Sequence, residues 1–176
     1  MAITYEPIAT TNGTGSSATV TFSNIPQTYT DLILIARPDQ PNSGECDMWI
    51  RVGNGSVDTG SNYSGTFLNG DGTSAASRRE TSVSKWRAEY YGYPATTIGN
   101  TNNIIQFMNY SNTTTYKTAL IRANSAATGV DAIVQLWRST SAINTISINL
   151  STLGFSGTER NFSANTTFTL YGIKAA

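Results

Sequence analysis

Apolar and polar residues alternate along most of the chain with the two-residue period of β-strands. The clearest example lies at residues 165–174, where Phe168 and Leu170 point to one side and Thr167 and Thr169 to the other. A terminal strand this apolar would be an aggregation-prone edge unless it were paired and covered. We therefore predict an interior strand that closes a sheet, with Phe168 and Leu170 buried.

Two other segments show patterns that place strands within a sheet. Residues 32–36 are all apolar, so both alternating faces of a strand there would be apolar. Because a strand covered on both sides tolerates this pattern, we predict a central, doubly covered strand. Residues 3–11 predict an extended arm or edge strand, since Pro7 cannot donate to a ladder.

The remaining alternating runs predict an all-β fold in a single domain over residues 1–176. Further strands are predicted at 18–22, 48–52, 63–68, 104–110, 115–123, 132–138 and 143–150. With about nine or ten strands and no helical period, the expected fold is an antiparallel β-sandwich, with jelly-roll connectivity favoured.

Asparagine–glycine pairs mark the expected tight turns. Asn54-Gly55 and the run from Asn69 to Gly72 are typical hairpin connections. Asp71 in the second turn could suggest a calcium ligand. A calcium loop needs several regularly spaced oxygen ligands, and these are missing around Asp71, so a plain hairpin turn is the expectation.

The composition narrows the possible chemistry. Histidine is absent, and Cys46 is the only cysteine, which excludes an internal disulfide and a cysteine zinc cluster. The 11 basic and 11 acidic residues cancel, so no basic field for nucleic acid is expected. No run is long and apolar enough to span a membrane, and no secretory signal is predicted. We expect a protein without catalysis, cofactor or metal.

Charge and aromatic residues concentrate between residues 73 and 103, where strand alternation weakens. This stretch is predicted as a long excursion with one short strand at 83–88. Its residue types are those of interface hot spots. The candidate partner-interface residues are Arg78, Arg79, Trp86, Arg87, Tyr90, Tyr91 and Tyr93. The alternatives are a loop that buries its own aromatics and a glycan-binding surface.

Four stretches of the chain resemble a family of small structural proteins encoded among the virion genes of tailed bacteriophages. These are residues 25–32, 109–118, 136–143 and 168–174, and Leu170-Tyr171-Gly172-Ile173-Lys174 is the most specific of them. The resemblance spans most of the chain and implies a virion component. It does not decide between head and tail, and it is weakest around residues 78–93.

The resemblance and the lack of catalytic chemistry lead to a first hypothesis about function. The protein would be a capsid decoration or cement protein that binds the outside of the head and stabilises the shell. Its expected partners are the major capsid protein and further copies of itself, with a trimer as one arrangement. The alternative is a tail-associated receptor-binding or adhesin domain that recognises host surface glycan.

Overall fold

The structure is a computed structural model that describes residues 4–39, 44–92 and 101–174. These residues form thirteen β-strands, all paired antiparallel. The strands are β1 (Tyr5–Asn12), β2 (Thr19–Phe22), β3 (Asp31–Arg37), β4 (Cys46–Asn54), β5 (Ser56–Val57), β6 (Tyr63–Gly70), β7 (Ala75–Val83), β8 (Trp86–Arg87), β9 (Thr101–Met108), β10 (Lys117–Ser125), β11 (Gly129–Trp137), β12 (Thr145–Thr152) and β13 (Thr167–Ile173). Among the described residues no helix has the length and apolarity needed to cross a membrane.

The strands form two sheets that share one hydrophobic core. The larger sheet has eight strands in the order β1-β13-β3-β9-β10-β11-β6-β7. The smaller has the order β2-β12-β4-β5, and β8 pairs with β4 beside it. Side chains from both sheets meet in one buried cluster, which includes Leu34, Phe107, Ile148 and Leu170. The predicted antiparallel β-sandwich is therefore confirmed, whereas this strand order does not establish jelly-roll connectivity.

The C-terminal strand β13 is an interior strand, as its alternation predicts. It pairs with β1 on one side and with β3 on the other. Phe168 and Leu170 are fully buried, and the Phe168 ring meets the Phe162 ring edge-on at 5.0 Å between centroids. Strand β1 lies at the edge of the sheet, which fits the missing N–H of Pro7.

Strand β3 differs from its prediction on one face. Leu32, Leu34 and Ala36 are buried, but Ile33 is only half-buried and Ile35 is 42% exposed. The prediction of a strand covered on both sides is thus wrong. The physical reason is that the sandwich has two layers, so the second face of the larger sheet has no described layer against it.

The segment that was predicted as a long excursion also differs from its prediction, because part of it forms two strands. Residues 75–83 form β7, which pairs with β6 at the edge of the larger sheet. Residues 86–87 form the short β8 on the smaller sheet. Both alternating faces of β7 are largely polar, so its sequence lacks the apolar signal of a strand, and backbone pairing to β6 defines it instead.

The tight turns agree with their predictions. Gly55 and Gly72 have φ of 81° and 85°, in the left-handed region that glycine adopts without strain. The Asp71 carboxylate accepts backbone N–H bonds from Thr73 and Ser74 over 2.8 and 2.7 Å. Those bonds close the β6–β7 hairpin, which is the turn role expected for Asp71.

Candidate functional site

Trp86 lies in the hydrophobic core. Strand β8 pairs its Trp86 with Ile50 of β4, which turns the indole inward and leaves it fully buried. The indole N–H donates to the Leu136 carbonyl over 3.0 Å, and the Tyr63 ring meets the indole edge-on at 5.6 Å. This placement corrects the expectation that Trp86 contacts a partner, because no part of its side chain reaches the surface.

Arg87 is also buried, and its charge is compensated within the chain. Its guanidinium donates to Asp47 over 2.5 Å and to Glu80 over 3.3 Å, and it lies 4.5 Å from the Trp49 ring centre. Burial raises the pKa of Asp47 and of Glu80, while the Arg87 charge acts in the opposite direction. Burial lowers the pKa of Lys85, also against Trp49, to about 8. Arg87 thus has charge partners within its own chain, and its contact with a partner protein stays a prediction.

Two further carboxyl groups fix the segment that follows β8. Glu89 is fully buried, and burial raises its pKa well above the ordinary value. It accepts hydrogen bonds from the Met48 N–H and, over 2.9 Å, from the Asn103 amide. Asp131 accepts the successive backbone N–H groups of residues 90–92 over 2.7, 2.9 and 2.7 Å. These bonds hold the backbone of Tyr90 and Tyr91 in one conformation.

A pocket of 410 Å³ opens beside this segment, and we name it the arginine–tyrosine pocket. Its walls are Glu45, Asp47, Arg78, Arg87, Tyr90, Tyr91, Leu153 and Gly154. The Arg78 guanidinium lies 4.0 Å from the centre of the Tyr90 ring, and the Tyr90 and Tyr91 rings are 5.1 Å apart. The pocket thus combines guanidinium groups, carboxylates and aromatic rings in one concave site.

The predicted interface residues separate into groups. Arg78, Arg87, Tyr90 and Tyr91 come together at the pocket, whereas Trp86 lies in the hydrophobic core. Arg79 points to the other face of β7, where it is exposed and pairs across the sheet with Thr66 of β6. Tyr93 lies outside the described residues.

Sequence reasoning missed a second feature, which is an apolar surface on the larger sheet. We call it the outer apolar face, and it consists of Ile33, Ile35, Leu68, Ile104, Leu120, Val130 and Val134. Leu68 is 61% exposed, Val130 59% and Leu120 46%. Most of these side chains line a depression of 720 Å³, which a second one of 520 Å³ adjoins.

Adjacent apolar pairs were the available signal for this face. Ile104 precedes buried Ile105, Leu120 precedes buried Ile121, and Val134 follows buried Ile133. In a strand, neighbours point to opposite faces, so such pairs indicate apolar residues on both sides of a sheet.

Arg122 lies within the outer apolar face. It sits opposite Ile104 on one neighbouring strand and Ala132 on the other. Its guanidinium makes no hydrogen bond or ion pair within the described residues. The charged side chains that the described strands of the larger sheet direct to this side are Asp31, Arg37, Arg79 and Arg122, so this side has a net positive charge.

Comparisons of the chain with protein-family models, with curated proteins and with solved structures found no match. The class of protein is therefore defined by the fold and its surfaces. It is a β-sandwich with one core, an apolar sheet face that no layer of the described residues covers, and a mixed-charge aromatic pocket.

Proposed function

We propose that the protein is a structural component of a bacteriophage virion, namely a decoration protein that binds the outside of the head and stabilises the shell. The observation that carries this proposal is the outer apolar face. A surface of this kind is suited to contact with another protein. The resemblance to virion proteins is the reason for proposing that this contact is made in a virion.

The size of the face supports a protein partner. The apolar side chains cover β3, β9, β10, β11 and β6, a patch of roughly 24 by 20 Å, on the order of 500 Å². Monomeric proteins rarely expose contiguous apolar patches larger than a few hundred Å². The whole face of the eight-stranded sheet is on the order of 900 Å², close to the roughly 800 Å² that each partner contributes to a stable interface.

The charge on the face favours the shell protein over a second copy. Two copies packed face to face would bring together two surfaces that each carry Arg37, Arg79 and Arg122. Among the described side chains on this side, Asp31 offsets one of these three positive charges, and its oxygens accept bonds from the Gln106 amide and the Asn109 N–H. We therefore propose that the occupant is an apolar strip of the shell protein that carries a carboxylate opposite Arg122.

The stretches that resemble virion proteins meet at one end of the sandwich. The Tyr110 hydroxyl donates to the Pro26 carbonyl, and the Ile143 N–H donates to the Tyr110 carbonyl over 2.9 Å. Gly172 lies where an added Cβ would come within 2.3 Å of the Tyr29 ring. The resemblance thus concerns residues that build the sandwich.

Counting copies on purified heads and tails tests the proposal. Quantitative mass spectrometry should find the protein on heads in hundreds of copies. A handful of copies on tails would support the tail-associated alternative, and absence from both fractions would refute a virion role.

Surface variants test the face itself. Leu68→Asp and Arg122→Glu should leave the isolated fold intact, because both side chains are exposed, but should reduce the copies per head by roughly tenfold or more. Thr21→Asp, on the exposed side of the smaller sheet, is the matched control and should decorate normally. Normal decoration by Leu68→Asp and Arg122→Glu would exclude this face. A concentration-dependent dimer abolished by Leu68→Asp would instead assign the face to a second copy.

A further inference from the structure

We propose that the arginine–tyrosine pocket is a binding site for a neutral saccharide. This inference goes beyond the virion role and does not depend on it, because the pocket and the outer apolar face are different surfaces. Its ligand class follows from the charges, the unpartnered polar atoms and the rings that line the pocket.

The balance of charge in the pocket favours a neutral ligand. Arg78 and Arg87 supply positive charge, and Glu45 and Asp47 supply negative charge. An anionic ligand would meet the carboxylates, whereas a cationic ligand would meet the guanidinium groups. A ligand with many hydrogen-bonding groups and no net charge avoids both conflicts.

Two buried polar atoms of the pocket residues lack partners within the part of the chain that the structure describes. They are Oδ1 of Asp47, which accepts hydrogen bonds, and Nε of Arg78, which donates one. An unsatisfied buried polar group costs about 1–3 kcal/mol. A hydroxyl group both donates and accepts, so a ligand with several hydroxyls can satisfy an acceptor and a donor in the same pocket.

The Asp47 carboxylate, whose Oδ1 is the acceptor, is already held in place. The other oxygen of the Asp47 carboxylate accepts from the Arg87 guanidinium over 2.5 Å and from the Gly154 N–H over 2.6 Å. These bonds fix the direction of the carboxylate before a ligand arrives. Such preorganisation reduces the entropy lost on binding.

The rings provide an apolar wall for the ligand. Tyr90 is covered on one side by Arg78, and Tyr91 meets it edge-on, with both side chains half-buried. The Asp131 carboxylate holds the backbone of both residues, which keeps the rings in place. Aromatic side chains with a polar tip pack against ligands that have both C–H faces and hydroxyls, and a volume of 410 Å³ suits a small-molecule site.

Saturation-transfer NMR with defined probes tests the proposal. Glucose, galactose, mannose and N-acetylglucosamine at millimolar concentration are the neutral probes, and inorganic phosphate and putrescine the charged ones. We expect transfer to at least one neutral sugar, and phosphorus NMR and proton NMR should show no binding of phosphate or putrescine. Binding of a charged probe without any sugar would overturn the neutral-ligand assignment, as would the absence of binding by all four sugars.

Neighbouring arginines provide a matched pair of variants. Arg78→Met removes the Nε donor and keeps an apolar stem, and it should weaken sugar binding about tenfold. Tyr91→Ala should weaken it as well. Arg79→Met lies one residue away on the other face of β7 and should bind like the unmodified protein. Unchanged affinity in both Arg78→Met and Tyr91→Ala, with the fold verified by circular dichroism, would show that the sugar binds elsewhere.

Discussion

Replacing Trp86 by alanine tests whether this tryptophan lies in the core or at a partner interface. The indole is fully buried between the sheets, within 6.2 Å of the Phe107 ring and 5.6 Å of the Tyr63 ring, measured between centroids. Alanine would leave a large cavity there, and the Leu136 carbonyl would lose the indole N–H that donates to it. We therefore expect Trp86→Ala to destabilise the isolated domain rather than only its contact with a partner.

The size of the effect follows from the buried area. A buried tryptophan removes roughly 150–250 Å² from water, which at about 25 cal/mol per Å² corresponds to roughly 4–6 kcal/mol. Measured large-to-small changes at buried aromatic sites cost about 3–5 kcal/mol. We expect a loss of about 4 kcal/mol from the free energy of unfolding. Since domains have about 5–15 kcal/mol in total, this is a large fraction.

Urea unfolding followed by far-ultraviolet circular dichroism measures this loss. Trp86→Phe should cost clearly less, because it keeps an aromatic ring in the cavity. Tyr116→Ala, at a side chain that is 55% exposed, is the control and should change stability by less than about 0.5 kcal/mol. A loss below about 1 kcal/mol for Trp86→Ala, with an unchanged urea slope, would refute the placement of Trp86 in the core.

Three further changes test the packing and the buried charge. Leu34→Asp should abolish cooperative folding, since it buries an unpaired carboxylate between the sheets; a soluble, cooperatively unfolding variant would contradict the core position. Gly172→Ala should destabilise by about 1–3 kcal/mol, because its Cβ would meet the Tyr29 ring at 2.3 Å, and thermal unfolding at the wild-type temperature would contradict this contact. Burial raises the pKa of Glu89 above its ordinary 4.5, so the folded state binds a proton more tightly than the unfolded state. The contribution of Glu89 to the free energy of unfolding should therefore be greatest below about pH 4.5. It should decrease, by up to about 1.4 kcal/mol per pH unit, as the pH rises toward the folded-state pKa. Glu89→Gln should flatten the dependence of unfolding free energy on pH; an unchanged dependence would contradict a buried Glu89 with a raised pKa.

The fold class was predictable because one face of most strands is apolar and the other polar. Strand β13 shows this best, since its alternation predicts its interior position and the burial of Phe168 and Leu170. The turns at Gly55 and Gly72 were predictable for a local reason, which is the need for a left-handed residue. These features depend on neighbours in sequence, so no long-range information was required.

The outer face of β3 could not be predicted from the pattern alone. A strand with two apolar faces is equally consistent with a covering layer of the same chain and with a layer supplied by another molecule. Ile35 is 42% exposed, so no layer of the described residues covers its face. The pattern therefore indicated apolar residues on both faces of β3, but it could not indicate whether a layer covers the second face.

The residues that form the candidate site depend on the register between β7 and β6, which the sequence alone does not determine. Arg78 and Arg79 are adjacent and identical, yet they point to opposite faces of β7. Their assignment comes from pairing with β6, where Arg79 lies opposite Thr66. Because both faces of β7 are largely polar, a shift by one residue would have left its hydrophobic pattern unchanged while exchanging the two side chains.

The same register keeps the two proposed surfaces separate. Arg79 lies on the outer face of the larger sheet with Leu68 and Arg122, whereas Arg78 turns toward the arginine–tyrosine pocket on the other side. A shell protein that covers the outer face would approach the side of β7 opposite Arg78. The pocket would then stay open to solvent on a decorated head, so attachment to the shell and saccharide binding are sterically compatible. Removing either surface should leave the other function intact, which makes the two proposals separable in one set of variants.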